Sequence, residues 1–196
     1  MSQVHSLQSA IRLEIRWGQF FALVGASSAA QTIRIGLAAL AVAAAAAAAD
    51  TAPRPEDVAT IDGMIKAFYE VVTGPAGQPR DWARDRTLYI ADLRFVDVGA
   101  DGKPRIMTHQ QFADGAKGIE QRGFYENEIH RVTERFGPIA HVWSTYESRQ
   151  TEHGPVIARG INSIELFWDG KRWWIANAIW TDETKENPIP KEYLPK

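Results

Sequence analysis

The periodicities of this chain predict an α+β fold, with helices first and a meander of strands after them. Apolar residues recur at helical spacing after Glu56: Val58, Ile61, Ile65, Phe68, Tyr69 and Val72. After Gly123 the spacing changes to alternation. Four long segments follow, parted by the turn signals Gly137-Pro138, Glu152 to Pro155 and Asp169-Gly170. The tryptophans add a third observation. Of 7 in the chain, Trp168, Trp173, Trp174 and Trp180 fall together, so the last strands must bury a large aromatic area. Helices followed by long hairpin-connected strands describe three N-terminal helices packed on a strongly curved antiparallel sheet.

Residues 1–49 read as a signal segment. Arg34 precedes the run Ile35–Ala49, IGLAALAVAAAAAAA, and Asp50 follows it. A positive residue, an apolar stretch of about 15 residues and small residues before a polar boundary describe a cleaved secretory signal. The run is short for a membrane-spanning helix, which needs about 20 apolar residues. Cleavage after Ala49 is favoured, and the product is expected to be exported, periplasmic or secreted. Two other readings stand beside this one. Alanine is the best helix former, so the run also suits an ordinary helix. Trp17–Ala30 is apolar as well, and with the alanine run it suits a retained membrane anchor, although Arg34 would then be a costly mid-membrane charge. The leader ahead of the run is long, as an over-extended start would make it.

Residues 50–57, DTAPRPED, form a Pro-rich linker. The domain proper spans 58–183. Gly74-Pro75 stops the first helix, whose first turn holds Glu56 and Asp57, where the helix dipole favours acids. A second helix is expected over Asp81–Tyr89, anchored by Trp82. Ile90–Val98 reads as extended, Gly99–Lys103 as a turn and Pro104–Met107 as a return strand. Thr108 suits an N-cap for a third helix running to about Ile119. The four strands are expected over Phe124–Phe136, Ile139–Gln150, Val156–Trp168 and Arg172–Asp182. Residues 184–196 form a Pro-containing tail.

Composition removes several function classes. The chain has no cysteine, which excludes disulfides, thiolate catalysis and Cys-based metal sites. A formal charge of −2 gives no basic footprint for nucleic acid. No HxH or HxxxH pair follows Asp50, so neither a metal nor a cofactor is expected.

The stretches DLRFVDVGADGKPRIMTHQQF (Asp92–Phe112), FGPIAHVWSTYESR (Phe136–Arg149) and RGINSIELFWDGKRWWI (Arg159–Ile175) carry a resemblance. Together with the element order, they resemble the cone-shaped nuclear transport factor 2-like superfamily over Glu56–Glu183. That superfamily includes the SnoaL-like polyketide cyclases and the ketosteroid isomerases, and the likeness here is to bacterial members without an assigned role. It implies a small-molecule-binding cone, either a cofactor-independent lyase or isomerase or a non-enzymatic binding or protein-interaction module. The fold alone does not choose between them.

The same resemblance supplies candidate residues. Asp97, at a strand end, matches the general base of ketosteroid isomerases. Tyr69, on the first helix, matches their oxyanion-stabilising tyrosine. Asn162 stands near their protonated acid, but an amide donates a hydrogen bond and supplies no proton, which speaks against steroid isomerisation. His141 would suit the dehydratases of the fold, which use histidine as base. Each has a plainer reading as a turn, core or surface residue. From the turn positions, Ile164, Trp173, Ile175, Asn177 and Ile179 line the concave face, joined by Trp82 and Trp143 as pocket walls. Trp174 and Trp180 then point out of the sheet and suit a homodimer surface or a seat for the tail residues Tyr193 and Leu194. A one-residue slip reverses each assignment. Glu126, Glu128, His130 and Glu134 share one parity on a charged strand that is either solvated or lines a wet pocket.

N-terminal sequencing of the protein from its native host is expected to give a mature chain beginning near Asp50. Intact Met1–Ala49 on soluble cytoplasmic protein would contradict the signal assignment.

Overall fold

Thr60 divides what the spacing reads as one helix into two. The computed structural model describes residues 51–196, so the signal-segment expectation for 1–49 lies outside the described residues. Helix α1 (Pro55–Val58) starts on a proline, where the missing N–H costs nothing. The Thr60 side chain then accepts from the Gly63 amide at 3.0 Å and caps α2 (Ile61–Glu70). Gly63 is needed at that joint, since a Cβ there would lie 2.1 Å from the Glu56 carbonyl oxygen. Helix α2 buries Met64, Ile65, Ala67, Phe68 and Tyr69 along one stripe.

Two arginines hold the segment between α2 and the sheet. Arg80 is buried and donates to the main-chain carbonyls of Val72 (2.9 Å), Gly74 (2.6 Å), Pro75 (3.4 Å) and Gln78 (2.6 Å). It thereby satisfies carbonyls of a loop whose other main-chain contacts are a bridge between Gly74 and Phe124 and a bond from Gly77 to Glu120. Arg84, on α3 (Trp82–Arg86), grips buried Asp57 through two 2.8 Å bonds and reaches Glu70 at 2.8 Å. Helix α3 stops before Tyr89 because the chain is taken up by the sheet: Ile90 donates to the Ile175 carbonyl, and Ile175 to that of Leu88.

Strand β1 (Phe95–Val98) is shorter than the extended segment expected from Ile90, and β2 (Pro104–Met107) pairs antiparallel with it as expected. Thr108 and Gln111 make a full capping box at the start of α4 (His109–Gly115). The expected single third helix is broken at Ala116, and α5 (Lys117–Arg122) completes it. Strands β3 (Tyr125–Phe136), β4 (Ile139–Arg149), β5 (Ala158–Trp168) and β6 (Trp173–Asp182) form the meander. Gly137 and Gly170 both hold positive φ, which their tight turns require. The strand order is β2-β1-β6-β5-β4-β3, and β1 runs parallel to β6, the one departure from an antiparallel sheet. No helix among the described residues is long and apolar enough to cross a membrane.

Two register shifts decide which side chains face the helices. The first lies between Glu128 and His130 on β3; the second opposes Glu165 and Leu166 to Asn177 and Ile175, leaving Ala176 as the extra residue. A bulge reverses parity beyond itself. Ile164, Trp173 and Ile175 lie in the core as expected. Past Ala176 the expected alternation is reversed: Ala178 is fully buried, while Asn177 and Ile179 pair with Glu165 and Ser163 on the outer face. Trp180 is consequently not an outward residue. Its ring packs edge-on against Phe95 and Phe112 at 6.1 Å each.

The outer face is covered differently from expectation as well. His141 and Trp143 lie on it rather than in the cone, because buried Ala140, Val142 and Ser144 hold the helix-facing parity. The tail crosses here, with Thr145 donating to the Tyr193 carbonyl at 2.6 Å and the Tyr193 ring 5.7 Å from Trp143. Trp174 does point outward, and its cover is local: Asp169 accepts from its indole at 2.7 Å, and the Arg172 guanidinium lies 3.7 Å over its ring. The homodimer surface expected from Trp174 and Trp180 therefore loses Trp180.

Trp173 is almost wholly buried at the β5–β6 hairpin, against Trp168 and beneath Arg135. Trp173→Ala is expected to lower the unfolding free energy by roughly 3–5 kcal/mol, the range for deleting a buried large aromatic. Urea denaturation measures it, and a loss under about 1 kcal/mol would be incompatible with this packing.

Candidate functional site

A glycine opens the polar end of the core. Tyr146 on β4 pairs with Gly160 on β5, which pairs with Asp182 on β6. A Cβ at Gly160 would stand 2.3 Å from the Tyr146 hydroxyl. Only glycine lets the phenol lie across the middle strand, where its hydroxyl donates to Asp182 Oδ1 at 2.6 Å. Asp182 is exposed at the strand end but turns this oxygen inward.

A second chain of polar groups fastens helix α2 to the sheet. Asn162 Nδ2 donates to the Tyr69 hydroxyl at 3.0 Å, and that hydroxyl lies 2.7 Å from Ser144 Oγ. Ser144 in turn donates to Glu128 Oε1 at 2.5 Å. The directions agree if Tyr69 donates to Ser144, so the donors run from Asn162 to the Glu128 carboxylate. Arg131 closes the chain with two bonds to Glu128, at 2.8 and 2.5 Å, and a third to Asp62. Tyr69, Ser144 and Asn162 are all buried. Satisfying each of them is what makes a buried polar network tolerable.

Glu126 lies beside both groups and differs from them. It sits on β3 opposite buried Ser148. Thr73 clamps its main chain, with the threonine hydroxyl accepting from the Glu126 amide at 3.1 Å and donating to its carbonyl at 3.2 Å. Among the described residues no side chain donates to the Glu126 carboxyl. Although part of the residue reaches solvent, its acid group is desolvated. Burial, and secondarily the negative charge of Asp182, push its pKa from 4.5 up to about 8. Asp182 is itself raised, by burial first and by Asp97 after it. Burial likewise raises both Tyr69 and Tyr146, so both phenols keep their protons.

The residues expected from the sequence are distributed unevenly around this cluster. Tyr69 and Asn162 are brought together and bonded to each other. Asp97 pairs with Arg105 at 2.5 Å at the β1–β2 edge, and no hydrogen bond joins it to Tyr69 or Asn162. His141, on the outer face, meets Ser163 at 3.0 Å. Trp82 donates to Glu120 at 2.9 Å and lines a groove among the helices instead of the cone. Sequence reasoning missed Glu126, Tyr146 and Asp182 as a group. The available signals were Gly160 inside a strand and the acidic parity that begins at Glu126.

No model of a known protein family matches the chain. No curated protein matches it either. Solved structures do. A protein of unknown function with a cystatin-like fold from Nostoc punctiforme PCC 73102 is 9% identical, with a TM-score of 0.50 over 64% of this chain and 90% of that one. A protein from Kribbella flavida is 10% identical, with the same TM-score and coverage. An NTF-2 like protein of unknown function from Silicibacter pomeroyi DSS-3 is 12% identical, with a TM-score of 0.47 over 64% of this chain and 94% of that one. The chain therefore shares the α+β fold of these structures, helices packed on a six-stranded sheet. In this domain the polar cluster occupies the helix-facing side of β3 to β6. At these identities the likeness speaks for the fold alone.

The Glu126 carboxyl also makes stability depend on pH. Between pH 4.5 and about 8 the folded chain keeps a proton that the unfolded chain has released. Stability is therefore expected to fall as pH rises through that window and to level off above it. Thermal melts across the window should show this decline, and Glu126→Gln should flatten it.

Proposed function

We propose that the domain is an exported small-molecule-binding cone with cofactor-independent proton-transfer chemistry of the lyase or isomerase type, in which Glu126 is the acid–base group. The carrying observation is the Glu126 carboxyl itself: desolvated, without a side-chain donor among the described residues, and pushed up to about 8. A carboxyl in that state still holds its proton near neutral pH and can both give and receive one. It would donate to a departing or enolising oxygen of the ligand and then recover a proton from the ligand or from water. Tyr146 and Asp182 are bonded to each other beside it, and the charge of Asp182 keeps its proton affinity high. The role expected of Asp97 thus passes to Glu126. Export rests on the Arg34 charge and the apolar run behind it.

One observation favours the non-enzymatic reading. The hydroxyls of Tyr69 and Ser144 and the amide of Asn162 are spent on one another and on Glu128. They are therefore not free to stabilise an oxyanion as they stand.

Native mass spectrometry of protein purified from its host is expected to find a retained small molecule. Glu126→Gln should abolish turnover of that compound while leaving its binding within about threefold, because the amide keeps the shape and loses the proton. Full turnover in Glu126→Gln would remove the acid–base role and leave the binding module.

A further inference from the structure

Asp85 is fully buried on α3, outside the cluster around Glu126. Its Oδ1 accepts from the Tyr89 hydroxyl at 2.9 Å, and its Oδ2 lies 2.7 Å from His109 Nε2. The Tyr89 and Phe95 rings flank the imidazole at 5.7 and 6.4 Å. A carboxylate that gives both oxygens to fixed partners holds the histidine in one orientation. With Nε2 engaged, Nδ1 is the ring atom left for another contact.

His109 lines a groove of about 690 Å³ between α3 and the α4–α5 pair, within the size range of small-molecule sites. The groove's acids are already engaged: Glu120 accepts from the Arg80 amide and the Trp82 indole, both at 2.9 Å, and Asp114 pairs with Lys117 at 3.5 Å. Its arginines are not matched by acids. Arg86 donates to the carbonyls of Ile90 and Ala91, and Arg94 to those of Asp92 and Leu93. Among the described residues neither has a carboxylate within ion-pair distance. Trp82, Ala83, Ala91 and Ala113 supply apolar wall. Guanidinium forks without counter-charges, a histidine held from behind and an indole wall suit an anion with an apolar body.

We propose that this groove is a binding site for a small organic carboxylate, its acid group held by Arg86 and Arg94, its apolar body against Trp82, and His109 in contact with it through Nδ1. The site shares no residue with the Glu126 cluster and stands independently of the chemistry proposed there.

The test is an NMR titration of the full-length chain with sodium benzoate, following the His109 imidazole and the Trp82 indole. Benzamide serves as the neutral isostere and inorganic phosphate as the compact anion. Benzoate is expected to shift both resonances saturably. Benzamide should bind at least about tenfold more weakly, and Arg94→Gln should raise the benzoate Kd about tenfold, the effect of one charge-assisted contact. Glu126→Gln should leave benzoate binding unchanged, which separates this site from the cone. Four results would each overturn the proposal: no saturable shift, benzamide binding as tightly as benzoate, wild-type affinity in an Arg94→Gln protein of unchanged melting temperature, or phosphate binding more tightly than benzoate.

Discussion

The Tyr69 hydroxyl is where the helix layer is fastened to the sheet. Helix α2 presents an apolar stripe that would pack on the sheet in several rotations at similar cost. One phenol in that stripe must find partners once buried, and Ser144 and Asn162 on neighbouring strands provide them. The cost of leaving a buried hydroxyl unpaired, about 1–3 kcal/mol, selects the rotation that satisfies it. The same rotation carries Thr73 to the Glu126 main chain and brings the loop after the helix against β3. The helix-facing surface of β3 and β4 is built around this contact.

Burial and charge are balanced differently at the two ends of the core. Near α3, buried carboxylates are hydrogen-bonded by close partners. Asp57 is held by Arg84, and Asp85 by Tyr89 and His109. Near β3, Glu128 has Arg131 and Ser144, but Glu126 has no such partner among the described residues and faces the charge of Asp182. Leaving one acid uncompensated lowers stability, and such groups concentrate where proteins do chemistry. This contrast, more than any single motif, separates Glu126 from the other acids of the domain.

Irregular backbone is handled by arginine rather than by regular structure. The loop from Val72 to Arg80 carries four carbonyls that Arg80 collects, so it stays compact with only a single bridge, Gly74 to Phe124, to the sheet side. Arg172 plays a comparable part, donating to the Thr87 carbonyl while its guanidinium covers Trp174. Long side chains with planar forks can serve several acceptors at once, which a lysine could not do in the same geometry.

The amino-acid sequence by itself determined whatever rests on neighbouring residues. The turns at Gly137-Pro138 and Asp169-Gly170, the Thr108 cap and the four long strands are legible because spacing, glycine φ and side-chain capping act within a few residues. The resemblance also offered Tyr69 and Asn162 as members of one site, and the fold joins them by a hydrogen bond. Only the tertiary structure decided what lies beyond the two register shifts. The extra residue at Ala176 turns Trp180 inward and Asn177 and Ile179 outward, and strand propensity does not mark where a bulge falls. Helix α3 is cut short by pairing with β6, a contact between residues far apart in the chain. The acidity of Glu126 belongs to the same class. It depends on burial by the whole sheet and on Asp182 at the far end of the meander, and both exist only once the strands are assembled.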